Sequence, residues 1–228
     1  MSSPTEHETD GHRQPGPHSG AIRASAGTAL AEAHTAVVML HGRGDSAAGI
    51  LGLAEAFDAP GTAFVAPQAT SNAWYPHPFM SELHANQPWL DSALMAVDSV
   101  VATVVDAGIA HERIVLLGFS QGACLASEYV ARNGRRYGGV VALSGGLIGP
   151  QVEAARYLGA LAGTPAFFGC SDVDPHIPLD RVSASADLYR DRGAAVEQRT
   201  YPGFGHNVNQ DEVDWVQALL TGLASRGD

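Results

Sequence analysis

Apolar residues along this chain come mostly in short unbroken runs. Ala36–Leu40, Ala63–Ala66, Ile114–Leu117, Val140–Ser144 and Ala166–Cys170 are each almost wholly apolar over four or five positions. Runs of that length and uniformity predict strands covered on both faces, as in a parallel sheet. Val196–Tyr201 alternates instead, which predicts an outer strand. A short edge strand near Ala21–Ala24 is a further candidate.

Between these runs the period changes to that of a helix. Ser46–Phe57 carries Ile50, Leu53, Ala54 and Phe57 on one face. Trp89–Ala107 is the most periodic stretch, with Leu90, Leu94, Val97, Val101 and Val104 in one stripe and Gly108 behind it. Gln121–Asn133 has no proline and meets a stop at Gly134. Leu179–Arg192 and Asp211–Leu223 complete the set, with a weaker helix expected within 151–161. Strands alternating with helices predict an α/β fold: a mostly parallel central sheet with helices on both faces. In such sheets, sites form at the carboxyl ends of the strands.

Two stretches have no period. Residues 1–20 are rich in Pro, Gly, Ser, His, Thr and Glu and read as a disordered tail, leaving 21–228 as a single domain. His7, His12 and His18 lie in that tail. Residues 67–88 are long, aromatic and proline-rich, and a connection of that length is usually functional.

Composition narrows the class. No apolar run approaches the ~18 residues of a membrane span, and the first twenty residues lack the apolar region of a secretory signal. Two cysteines, Cys124 and Cys170, are too few for a disulfide framework, so a reduced, cytoplasmic setting is the expectation. A net charge of −11, with only 13 basic residues, argues against nucleic acid or an anionic membrane as partner.

Chemistry enters at the end of the Ile114–Leu117 run. Gly118-Phe119-Ser120-Gln121-Gly122 matches G-x-S-x-G between a predicted strand and a predicted helix, the setting that pushes a serine hydroxyl out of the sheet's end. The bland alternative is a serine N-cap in a glycine turn. A serine hydroxyl needs a base, and His206 in Gly203-Phe204-Gly205-His206 is the candidate. The base needs a carboxylate to hold its tautomer, and both Asp172 and Asp174 follow the Ala166–Cys170 strand. The chain order is then Ser, Asp, His. Main-chain N–H groups of Arg43 and Gln121 are placed to form an oxyanion hole. Trp74, Tyr75, Phe79 and Trp89 are expected to wall the acyl site. Arg43 either turns its guanidinium toward that pocket or pairs with Asp45.

With these residues in hand, the chain resembles the α/β-hydrolases of the phospholipase/carboxylesterase family, which includes the acyl-protein thioesterases. The resemblance rests on Leu40-His41-Gly42-Arg43-Gly44-Asp45, the 118–123 elbow, Leu143-Ser144-Gly145-Gly146, Asp174-Pro175-His176-Ile177-Pro178 and Tyr201-Pro202-Gly203-Phe204-Gly205-His206. It implies an α/β-hydrolase fold, Ser120 as nucleophile, Asp174 as the acid and His206 as the base, with no metal and no organic cofactor. Arg43 departs from the apolar residue usual at that place in the thioesterases, and 72–88 departs from their pattern. Both departures favour small esters over long acyl chains.

The expected function is therefore a carboxylesterase acting on a small-molecule ester, without nucleic acid or membrane insertion, and with a homodimer left open. Rival readings are an acyl thioesterase or lysophospholipase, a lactonase of the dienelactone-hydrolase kind, and a non-catalytic binding module. The lactonases place Cys at the elbow centre, whereas Cys124 lies a helical turn further on and is expected to pack as a small buried residue. A metal hydrolase is disfavoured by the absence of H-E-x-x-H.

Overall fold

The computed structural model describes residues 16–18 and 23–225. Seven strands form one sheet: β1 (Arg23–Gly27), β2 (Thr35–Leu40), β3 (Thr62–Pro67), β4 (Ile114–Phe119), β5 (Gly139–Leu143), β6 (Pro165–Ser171) and β7 (Ala195–Tyr201). Their order is β1-β3-β2-β4-β5-β6-β7, and every pairing is parallel except β1 with β3. Five α-helices pack on the sheet: α1 (Ala47–Leu51), α2 (Trp89–Asp106), α3 (Gln121–Asn133), α4 (Leu179–Asp191) and α5 (Gln210–Ala224).

The uniform apolar runs serve two cores at once. Val38, Leu40, Leu116, Val140 and Phe168 face α2, α3 and α4, while Val37, Met39, Leu117, Val141 and Phe167 face α1 and α5. Alternate residues of one strand thus go to opposite layers, so the middle positions of a central strand are apolar on both faces and polar residues such as Thr35 and Ser171 stand at strand ends. On α2 the buried face is Leu90, Ser92, Ala93, Val97, Val100, Val101 and Val104. Gly134 ends α3 in the left-handed conformation at φ 46°, as its position after the helix predicts.

Four expectations change. The edge strand lies at Arg23–Gly27, slightly beyond the expected place. The helix at 46–57 is α-helical only to Leu51 and continues as a 3-10 helix, Gly52–Ala56. Within 151–161 only a 3-10 turn, Ala154–Arg156, forms. Its irregular path lets Arg156 reach the buried Glu128 at 2.6 Å and lets the Tyr157 hydroxyl donate to that carboxylate at 2.8 Å. The tail is not featureless either. His18 is 2 % exposed, bonded to Trp74 O at 2.9 Å and accepting from Thr70 N at 3.1 Å. The rest of the expectation for residues 1–20, including His7 and His12, lies outside the described residues. No helix among the described residues is long and apolar enough to cross a membrane.

Candidate active site

Ser120 stands between β4 and α3 with φ 55° and ψ −118°. A non-glycine residue holds such a backbone only where its surroundings enforce it. Here the Ser120 N–H bonds Leu143 O at 2.9 Å, and its carbonyl accepts from Cys124 N at 3.0 Å. Close approach does the rest. A Cβ at Gly118 would overlap the Gly122 carbonyl group, and one at Gly122 would overlap the Leu40 carbonyl. The two glycines of the elbow therefore let the helix start directly against β2 and β4.

His206 lies on the loop from β7 to α5. Its Nε2 is 2.9 Å from Ser120 Oγ, and its Nδ1 is 2.6 Å from Asp174 Oδ2. The carboxylate accepts a hydrogen bond from Nδ1–H, which keeps the ring proton on Nδ1, so Nε2 presents its lone pair to the serine hydroxyl. The rings of Phe119 and His176 pack around the imidazole with centroids at 4.9 and 5.0 Å. The Asp174 side chain is fully buried, while that of His206 keeps 18 % of its surface. Asp174 Oδ1 accepts from the N–H groups of His176 at 2.8 Å and Ile177 at 3.0 Å. Burial pushes this carboxyl up, but the bonds from His206 and the two N–H groups outweigh it. They hold the group below the usual carboxylate range.

Asp172 is turned away. Its Oδ1 accepts from Gly203 N at 2.7 Å. The choice between the two acids that residue spacing left open is thus made by the chain's return through β7, which carries His206 to Asp174.

On the opposite side, the loop after β2 brings Arg43 beside the elbow. The Gln121 N–H opens α3, where the helix end favours a negative charge. Among the described residues, no acceptor takes the main-chain N–H of Arg43 or Gln121. Both remain available for a developing oxyanion. His41 braces this loop, with Nδ1 bonded to Gly42 O at 2.8 Å and Nε2 accepting from Ala69 N at 3.2 Å.

A cavity of about 580 Å³ opens over Ser120, walled by Tyr75, Phe79, Phe119, Cys124 and Ile177 with Arg43 and His176 at its polar parts. That volume is in the ordinary range for a small-molecule site. Burial pushes the Cys124 thiol up to about 12, so it stays protonated and serves as apolar wall. A serine with an aligned base, two free N–H donors and an apolar cavity is an arrangement suited to acyl transfer. No group of three or more metal-ligating side chains occurs among the described residues.

A model of the phospholipase/carboxylesterase family matches residues 27–223. The chain belongs to that family. Acyl-protein thioesterase 1 of Candida albicans is 30 % identical over 230 residues, covering 90 % of this chain and 98 % of that one. The same-named protein of Gibberella zeae is 34 % identical over 124 residues, so the match spans about half of each chain, 54 % and 53 %. A crystal structure of a phospholipase/carboxylesterase from Dyadobacter fermentans is 44 % identical, with a TM-score of 0.85 over 88 % of this chain and 96 % of that one.

Within this family frame, two expected wall residues fall elsewhere. Trp74 is wholly buried behind the wall, its Nε1–H donating to His41 O at 2.9 Å. Trp89 packs on His18 at 5.5 Å instead of facing the cavity. An indole N–H needs an acceptor when buried, and the loop after β2 supplies one. Tyr75 and Phe79 do line the cavity.

Arg43 meets neither expectation in full. It reaches the cavity, but its guanidinium is spent on main-chain carbonyls: Tyr75 O at 2.7 Å, Pro76 O at 3.0 Å and His77 O at 3.1 Å. Gln121 adds a clamp of its own, accepting from Trp74 N at 2.9 Å and donating to Tyr75 O at 2.8 Å. The buried Asn86 accepts from His77 N at 2.8 Å and donates to Pro78 O at 3.2 Å. Asn86 belongs to no motif, and nothing in the sequence marks it.

Proposed function

We propose that this chain is a serine carboxylesterase cleaving small or medium carboxylic esters. The hydrogen-bonded relay Asp174–His206–Ser120, at the mouth of a cavity of about 580 Å³, carries this reading. Ser120 Oγ attacks the ester carbonyl as His206 Nε2 takes its proton. The tetrahedral oxyanion rests on the N–H groups of Arg43 and Gln121. His206 then protonates the leaving alcohol, and an acyl-enzyme remains on Ser120. Water, deprotonated by His206, attacks that acyl group, and Ser120 recovers its proton as the acid departs. Asp174 holds the imidazole tautomer throughout and stabilises the imidazolium.

Acyl thioester cleavage is the second reading, favoured by relatives named acyl-protein thioesterase 1. It uses the same intermediate. The polar clamp of Arg43 on the aromatic wall favours compact acyl groups over long ones. A reducing, cytoplasmic setting fits the two free, buried thiols Cys124 and Cys170.

The test pairs a series of 4-nitrophenyl esters of increasing acyl length with one acyl thioester, on the wild type and on Ser120→Ala. The expected result is efficient turnover of short aryl esters and a loss of about 10⁴-fold or more in the variant. Labelling by a fluorophosphonate should disappear with it. Labelling that persists in Ser120→Ala, or moves to Cys124, overturns the assignment.

A further inference from the structure

Asp172 and its neighbour Ser171 are left without a part in the acyl-transfer steps, yet both are fully engaged. Ser171 ends β6 and is 2 % exposed. Its Oγ accepts from Gly205 N at 2.9 Å and from Val173 N at 3.3 Å. Asp172 Oδ1 accepts from Gly203 N at 2.7 Å. These two contacts straddle Phe204 and reach the histidine loop one and three residues before His206.

Between residues 202 and 205 the main chain has little else to hold it; the far end of the loop is tied by the capping pair Asn209 and Glu212. Gly203 and Gly205 sit at φ 68° and 82°, a region open to glycine but strained for other residues. Two such glycines leave the unfixed loop many alternative paths. Among the described residues, its other main-chain N–H bonds are the long one from Phe204 N to Tyr201 O at 3.4 Å and, at its far end, Asn209 N to Glu212 Oε2 at 3.0 Å. The same short segment, 171–174, therefore presents three side chains to the returning loop. Ser171 and Asp172 take main-chain N–H groups, and Asp174 takes the imidazole.

We infer that Ser171 and Asp172 are positioning residues, a two-point staple that sets the histidine loop so that His206 reaches Ser120 and Asp174 together. They touch neither substrate nor reacting atoms. Their acceptor oxygens do the work, and the negative charge of Asp172 is incidental. The inference rests on the serine-esterase reading, because it assigns a consequence to the placement of His206.

Misplacing a reacting group by about 1 Å costs on the order of 10²-fold. Ser171→Ala and Asp172→Ala should each lower kcat on a short aryl ester by about 10- to 100-fold and leave KM nearly unchanged, since neither side chain lines the cavity. Fluorophosphonate labelling of Ser120 should slow in proportion. Ser171→Thr and Asp172→Asn keep an acceptor oxygen and should recover most of the rate. A role in stability alone would lower the Tm and leave the kcat of the folded enzyme intact. Asp172 is on an exposed loop, so its variants stay foldable even if those of Ser171 do not.

The staple is overturned if both alanine variants keep kcat within about twofold of wild type, well short of the misplacement cost. It is also overturned if Asp172→Asn is as damaging as Asp172→Ala, which would make charge the active property. A wild type with no esterase activity sinks the underlying reading instead, so the two failures are separate.

Discussion

On one side of the cavity, the segment from Trp74 to Phe79 is fixed by side chains that reach in to its main chain. Arg43, Gln121 and Asn86 bind its carbonyls and N–H groups, and Gly149 N donates to Phe79 O at 2.8 Å. On the other side, the loop from Pro202 to Asn209 offers its own N–H groups to Ser171 and Asp172, and it holds two left-handed glycines. Burial follows the same division. Trp74, Tyr75 and Phe79 are 0, 1 and 7 % exposed, whereas Phe204 of the histidine loop is 40 % exposed. The aromatic wall is built as a container whose shape is set before substrate arrives. The histidine side is built from few contacts, each in a decisive place, around a ring hydrogen-bonded to Asp174 on one side and Ser120 on the other. Regions held by few buried contacts are the ones that open first.

This contrast can be broken most sharply at Asp174. Asp174→Asn should cost on the order of 10⁴-fold in kcat, because an amide no longer enforces the tautomer that presents Nε2 to Ser120. The Tm should change little. Kinetics on a short aryl ester together with a thermal melt decide it, and a large Tm loss with modest kinetics would place Asp174 among the structural contacts.

The wall should behave in the opposite way. Asn86→Ala removes both partners of the His77 N–H and the Pro78 carbonyl. The expected cost is about 2 kcal/mol, since water can reach part of this segment. For a domain of this size that corresponds to a Tm lower by about 4–8 °C. The kcat for a short ester should fall far less than in Asp174→Asn. A Tm unchanged within error would show that the wall does not depend on Asn86.

The smallest effect is expected at His18, which backs the wall from outside the cavity. His18→Ala leaves the Trp74 carbonyl and the Thr70 N–H without their partner and should lower the Tm by about 2–4 °C, or roughly 1 kcal/mol. Removing residues 1–18 should do the same. Composition alone predicts no effect from that removal, so the melt separates the two expectations.

Much of this was legible because it is local. Continuous apolar runs must be buried on two faces, and Val37 and Val38 do go to opposite cores. Gly118 and Gly122 announce an elbow because no Cβ fits there. Trp74 and Trp89 were misjudged for an equally physical reason: aromatic content says that a residue is buried, not which side of a wall it is buried on.

The sequence by itself determined the α/β order, the strained corner at Ser120 and the set of residue types that could serve it. Each depends on neighbours a few positions away, through periodicity, turn sterics and helix termination. Local spacing left Asp172 and Asp174 level, the family resemblance implied Asp174, and the tertiary structure is what brings Asp174 to His206 and Asp172 to Gly203, through the loop that returns from β7. The tertiary structure alone assigned Arg43 to the carbonyls of Tyr75, Pro76 and His77 in place of Asp45. It alone drew His18 from the tail into a buried seat on Trp74. Contacts between residues that far apart along the chain are selected by where the packed sheet delivers each loop, and no local pattern carries that information.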